Sequence, residues 1–265
     1  ISAFDPETAR VFVTYAEQNY VGVIDISDPD APVAASPLAQ ISLAQWGEDA
    51  RATSVAVHDG VVAVAIPLGE DDTAPGKVAF FTTDGAFLSD VTVGALPDML
   101  TFTPNGRYVL TANEGQPRDN YQVDPEGSVS MIDLRGGVGA LTQASVTTIG
   151  FEAFNGASLD PSIRIFGPGA TVAQDLEPEY IAVSHDSKTA WVTLQENNAI
   201  ATIDLQARRA TALRGLGFKD HSLEGNRFDG SIDGKAELRN WPVLGVYMPD
   251  AIATLRAGGQ TYLVT

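Results

Sequence analysis

The chain has 265 residues, no cysteine, 16 Lys and Arg against 34 Asp and Glu, and a net charge of −18. Disulfides, thiolate metal centres and cysteine nucleophiles are excluded, and so acidic a chain argues against nucleic acid and anionic membrane surfaces as partners. Apolar residues make up 44%, enough for a sizeable core, and no apolar run reaches the ~18 residues that would span a bilayer as a helix.

Alternation of apolar and polar residues dominates from end to end, and no stretch carries a helical stripe. In chain order the pattern predicts strands at Val11–Tyr15, Val21–Ile26, Val61–Ile66, Val78–Thr82, Tyr108–Ala112, Val129–Leu134, Ala190–Leu194 and Ala199–Leu205. Asp59-Gly60, Asp84-Gly85 and Asn105-Gly106 separate strand candidates as hairpin dipeptides that tolerate positive φ. Three inserted stretches, Gly115–Gly127, Phe151–Asp175 and Lys219–Val246, are too long for simple turns.

One phrase recurs: Pro-acid, an alternating strand, a turn, a second strand and an acidic corner. It runs from Pro97-Asp98 to Asn113-Glu114, from Pro178-Glu179 to Gln195-Glu196, and begins again at Pro249-Asp250 before ending at Thr265. Weaker copies lie at Ser2–Glu17 and Thr53–Pro67. A repeated strand-turn-strand unit followed by a third strand ending in an acid (Asp25, Asp133, Asp204) predicts an all-β fold, a β-propeller of four-stranded antiparallel blades. The copies divide residues 1–265 into about four blades and the first half of a fifth, within a single propeller domain. Ile1 without an initiator Met, and Thr265 closing a strand, predict a piece of a larger ring of about seven blades.

Repeat-equivalent residues converge on a propeller axis, so the phrase gathers Asp98, Glu179 and Asp250 at one end of the inner strands. Glu17, Glu114 and Glu196 stand beside them at the far end of each hairpin. Carboxylates brought together repel unless a cation or proton joins them. Hard oxygen ligands with neither thiolates nor clustered imidazoles point to Ca²⁺ ahead of Mg²⁺. The competing reading is structural, since Pro-Asp and Pro-Glu start strands well and corner acids cap backbone amides. Asp229, Ser231 and Asp233 followed by Gly234 resemble the front of a calcium loop, but Asn240 stands where the bidentate Glu of an EF-hand belongs. The run Glu70-Asp71-Asp72 reads as a solvated hairpin tip.

The repeat also sorts the histidines. His58 and His185 fall at the turn position held elsewhere by Asn105, which leaves His221 as the candidate catalytic imidazole, against the plainer reading of a hydrogen-bonded loop residue. Arg118 and Arg239, in two of the insertions, are candidates to hold an anionic group beside bound cations. Gly167-Pro168-Gly169-Ala170 lacks the Lys of a phosphate loop.

The longer phrases resemble the choice-of-anchor I family: Leu96-Pro97-Asp98-Met99-Leu100-Thr101-Phe102, Ala112-Asn113-Glu114-Gly115, Arg164-Ile165-Phe166-Gly167-Pro168-Gly169, Asp175-Leu176-Glu177-Pro178-Glu179-Tyr180, Gly217-Phe218-Lys219-Asp220-His221-Ser222 and Arg239-Asn240-Trp241-Pro242. The resemblance covers nearly the whole chain. It implies an exported bacterial propeller, often fused to a cell-surface anchor and therefore extracellular, periplasmic or surface-held, with extracellular proteins among its partners. Members are often labelled alkaline phosphatase- or phytase-like. A calcium-assisted phosphoesterase would bind phosphate oxygens through its metals and activate a water. On that reading Asp98, Glu114, Glu179 and Asp250 are ligands and Arg118 steadies the phosphoester. The two functional readings are therefore a Ca²⁺-binding propeller that holds ligands or partners at its channel mouth, and a metal-dependent phosphomonoesterase on the same face.

Overall fold

Alternation of side chains along each strand decides the architecture. The computed structural model describes every residue of the chain except Ala16, Glu70 and Asp119. In the second sheet, β6 (Ser54–His58), β7 (Val61–Leu68), β8 (Ala74–Thr82) and β9 (Phe87–Ala95) pair antiparallel in sequence order. Along β7, Val62, Val64 and Ile66 enter one apolar cluster while Ala63 and Ala65 enter another. Along β8, Ala79 and Phe81 divide from Val78 and Phe80 in the same way. A sheet buried on both faces must have a neighbour on each side, which is the packing of a blade.

The other sheets repeat this unit. The first comprises β1 (Ser2–Asp5), β2 (Arg10–Thr14) and β3 (Tyr20–Asp25), whose outer edge is shared by two short strands, β4 (Val33–Ala34) and β5 (Gln40–Ser42). The third is β10 (Pro97–Phe102), β11 (Tyr108–Asn113), β12 (Ser128–Asp133) and β13 (Val146–Ile149). The fourth is β14 (Pro178–Val183), β15 (Thr189–Leu194), β16 (Ala199–Asp204) and β17 (Arg209–Gly215). The inserted stretch after it carries the two-residue pair β18 (Lys219–Asp220) and β19 (Leu244–Gly245), and the chain ends in a hairpin of β20 (Ala253–Ala257) and β21 (Gln260–Val264). The inner strands follow one another around an axis: β1 lies against β6, β6 against β10, β10 against β14, and β14 against β20. They border an open hollow lined by Ala3, Val55, Val57, Met99, Thr101 and Tyr180.

The alternation forecast the strands to within two residues, except that β8 begins four residues early, at Ala74. The Asp59-Gly60 turn has φ of 45° and 74°, as a two-residue hairpin between right-twisted strands requires. The histidine register differs from the expectation. Thr103 Oγ1 donates to Asn105 Oδ1 at 2.8 Å, and in the fourth sheet Ser184 Oγ donates to Asp186 Oδ1 at 2.7 Å. Asp186 therefore holds the Asn105 position and the exposed His185 stands one residue earlier, where the third sheet has Pro104. His58 lies in β6, paired with Val61, and its ring stacks on Phe102 with centroids 5.5 Å apart.

A candidate cation site at the blade corners

The corner is built by irregularity placed on an otherwise regular hairpin. β10 and β11 pair at Pro97 and Asn113 and then slip, so that Asp98 sits in a bulge. The fourth sheet slips at the matching point, after the pairing of Pro178 with Leu194, and Glu179 occupies that bulge. Bulges re-aim side chains at sheet ends, and here two consecutive blades re-aim an acid. The residue before the Pro-acid pair is left-handed in two copies, Leu96 at φ 46° and Met248 at φ 45°. Non-glycine residues hold that conformation at a cost and cluster where geometry is imposed.

Burial and mutual repulsion then act on the carboxyls. Desolvation, with the charges of Asp98, Glu177 and Glu196, pushes Glu114 up to about 8. Glu179 is also raised to about 8, by desolvation first and then by Asp98, Glu114, Glu196 and Asp250. Glu177 rises to about 7 through desolvation, Glu196 and Asp175, and its carboxylate accepts a hydrogen bond from Glu114 when Glu114 is protonated. Asp98 is raised by desolvation and Asp250, and partly relieved by Arg51. Asp250 is exposed. Glu196 has one carboxylate oxygen, Oε2, buried without a hydrogen-bond partner. The carboxyls feel one another's charge, yet among the described residues no three Asp, Glu or His side chains group closely enough to hold a metal ion as they are placed.

Basic residues border this cluster but are engaged elsewhere. Arg51 donates twice to Asp72, at 3.0 and 2.7 Å. Arg118 Nε donates to the Asp71 carbonyl at 3.0 Å, its Nη1 donates to Gln116, and its Nη2 stands 4.0 Å from Asp72. Asp72, expected at a solvated tip, is an anchor instead: its side chain is 12% exposed and ties Arg51 and Arg118 to the same corner. Asp71 accepts from Thr73 Oγ1 at 2.7 Å, and Glu70 lies outside the described residues.

The sequence also missed the supporting shell. Asn197 Oδ1 accepts from the Glu177 amide at 3.0 Å while its Nδ2 donates to the carbonyls of Arg164 and Asp175. Asn198 Nδ2 donates to the carbonyls of Ser162 and Gly217, and its Oδ1 accepts from the Tyr247 amide at 2.9 Å. Two buried amides thus pin the insertions around the corner. The Glu177-Pro178-Glu179 triplet was the available signal for Glu177, since it places acids on both sides of a strand-starting proline.

The remaining candidates are dispersed. Glu114 follows the Asn113 pairing by one residue and Glu196 follows Leu194 by two, so they are near neighbours but not repeat equivalents. Glu17 is exposed, beside Glu48 and Arg51. Asp229 and Asp233 are exposed, and both accept from backbone amides: Asp229 from Ser231 at 3.2 Å and Glu237 at 3.2 Å, Asp233 from Lys235 at 3.0 Å. Arg239 pairs with Glu237 two residues away. His221 Nδ1 lies 2.6 Å from the Asn226 carbonyl, with its ring edge-on to Phe228 at 4.5 Å. Among the described residues no hydrogen bond or ion pair joins His221 to the corner acids.

The choice-of-anchor I domain matches residues 1–265, the whole chain. The chain belongs to that family. No protein with a curated description matches it in sequence. The fold of this choice-of-anchor I chain is similar to the β-propeller domain of Cps50 (Swd1) from Myceliophteria thermophila, at a TM-score of 0.50 and 10% identity, over 80% of this chain and 58% of that one. It is also similar to a protein of unknown function from Desulfotomaculum acetoxidans, at a TM-score of 0.50 and 14% identity, over 82% of this chain and 56% of that one. The chain thus spans less than two thirds of either solved structure, and at such identities the likeness concerns the fold alone: a β-propeller with an incomplete ring of blades.

Proposed function

We propose that the chain is the binding face of an exported, surface-held propeller that takes Ca²⁺ among the corner acids and holds a ligand or partner at the channel mouth through it. The supporting observation is the paired bulge: two successive inner strands break register at one point, and each turns a half-buried acid toward a cluster already short of positive charge. Asp98, Glu114, Glu179 and Glu196 would hold the ion, with Asp250 at the exposed rim. Calcium accepts six to eight oxygens and takes water among them. A few carboxyls that close modestly around it therefore suffice. The ion would present a Lewis-acidic surface to oxygen ligands. Arg118 would remain a structural neighbour, because Asp71 and Gln116 already occupy its guanidinium.

Calcium titration by calorimetry, paired with thermal melts in Ca²⁺ and in EDTA, tests the reading. Binding and a higher melting temperature in Ca²⁺, both lost in Asp98→Asn with Glu179→Gln, are expected, because a ligand bound only by the folded state must stabilise it. Identical melts in Ca²⁺ and EDTA would overturn it. Chelator-sensitive turnover of p-nitrophenyl phosphate would move the assignment to the phosphomonoesterase reading of the same corner.

A further inference from the structure

At the opposite end of the blades, beside Asp133 and Asp186, four basic residues gather in one place. The turns from β10 to β11 and from β14 to β15, with the corners that follow β12 and β16, enclose a cleft of about 410 Å³ between the third and fourth blades. Arg107, Arg135, Lys188 and Arg208 all line it. A quarter of the chain's 16 basic residues thus converge on one cleft in a protein of net charge −18. Solubility alone gives no reason for that gathering.

The donors are only partly spent. Arg135 directs Nε and Nη2 at Asp133, which fixes it as a wall of the cleft. Arg208 donates Nη1 to Thr147 Oγ1 at 3.2 Å, and its Nη2 stays 4.0 Å from Asp133. Lys188 Nζ approaches Asp186 to only 3.8 Å. Arg107 lies with its guanidinium carbon 5.1 Å from the centre of the Tyr108 ring and, among the described residues, its side chain donates no hydrogen bond. Two forked guanidinium groups and an ammonium around a polar hollow match an anion with several terminal oxygens. Ser187 and the amides of Asn105 and Gln206 supply neutral hydrogen-bonding groups beside them.

We propose that this cleft is a binding site for a phosphate or sulfate monoester group, held by Arg107, Lys188 and Arg208 against the Asp133-fixed Arg135. The site is independent of the cation corner. Six-residue strands separate the two ends by roughly 17–20 Å, and the Debye length at physiological salt is about 8 Å. The protein's overall field repels anions, so capture depends on these local donors and weakens as salt screens them.

Calorimetric titration at low ionic strength with phenyl phosphate and with phenyl sulfate tests the proposal, circular dichroism confirming that each variant is folded. At least one ester should bind saturably at one site per chain. Arg107→Met and Arg208→Met, both at exposed side chains, should each weaken binding about tenfold, the worth of one charge-assisted hydrogen bond. Lys219→Met, at an exposed cation outside the cleft, should leave it unchanged. The ester that binds more tightly assigns the group. Saturation by neither ester, or binding that survives both arginine substitutions, would overturn the proposal, as would an equal loss in Lys219→Met.

Discussion

The two ends of the blades hold carboxylates in opposite states. At the turn end, Asp25, Asp133 and Asp186 accept from nearby donors and are lowered. Asp186 is lowered by hydrogen bonds from Ser184 and Lys188, and Asp25 by those from Ser27. Asp133 drops to about 2, chiefly through its side-chain hydrogen bond with Arg135. At the corner end Asp98, Glu114, Glu177 and Glu179 are all raised, desolvation being the largest cause in each. The same hairpins carry both sets. Local donors satisfy acids whose task is to close a turn; acids turned toward the axis are left to one another, and a charge from outside the chain is what would satisfy them.

The steepest way to break this contrast is to disturb the backbone that holds the corner. A Cβ on Gly127 would stand 1.9 Å from the Leu176 carbonyl oxygen and 2.7 Å from Pro178 Cδ, directly behind Glu177. Gly127→Ala must push the Leu176-Glu177-Pro178 segment outward. Such overpacking costs about 1–3 kcal/mol, and a domain of this size loses about 2–4 °C of melting temperature per kcal/mol. Differential scanning calorimetry measures the drop, and an unchanged melting temperature would mean that the corner is not rigidly seated.

Acidity gives the next effect. Glu114, Glu177 and Glu179 keep their protons in the folded state up to about 7–8, against 4.5 for the ordinary group. Between those limits folding takes up protons, so without calcium the stability should fall as pH rises through that window. Saturating Ca²⁺ should flatten or reverse the fall, because the ion replaces the protons. A melt series from pH 5 to pH 9, with and without EDTA, reads both trends. A chelated protein that grows more stable over this range would contradict the raised carboxyls. Smaller again is the effect of Glu179→Gln. At alkaline pH without calcium it removes a repelling charge and should stabilise by on the order of 1 kcal/mol, while lowering calcium affinity.

Much of this is legible in the amino-acid sequence itself. Period-two alternation located strands with one wetter face, unbroken apolar runs such as Val61–Ile66 located those buried on both, and the Pro-acid phrase located Asp98 and Glu179 because each blade repeats one corner. What the sequence hid is instructive in particular residues. Asp72 belongs to an acidic run, but Arg51 and Arg118 approach it from other loops, and only long-range packing brings them there. Glu196 was aligned with Glu114, but bulges and unequal corners displace repeat positions by a residue. Asn197 and Asn198 carry no motif at all; their meaning lies in carbonyls of the 151–175 insertion and in the Gly217 carbonyl and Tyr247 amide. The basic cleft escaped notice because Arg107, Arg135, Lys188 and Arg208 are scattered singly, each following a turn and each unremarkable in its own blade.

Asp133 links the two ideas and yields the smallest prediction. Its folded pKa lies below the ordinary 3.8, so its contribution is present above that value and is lost as pH falls toward about 2. Its partner Arg135 is half-exposed, so solvent screens the pair, and Asp133→Asn should cost only about 0.5 kcal/mol at neutral pH. Its effect on the cleft should run the other way. Removing the carboxylate frees Arg135 and takes a negative charge from beside Arg208, so phenyl phosphate should bind more tightly although the protein is slightly less stable. Opposite signs in one variant are a severe requirement. A purely structural ion pair would give the stability loss alone, whereas a carboxylate that restrains an anion site must give both.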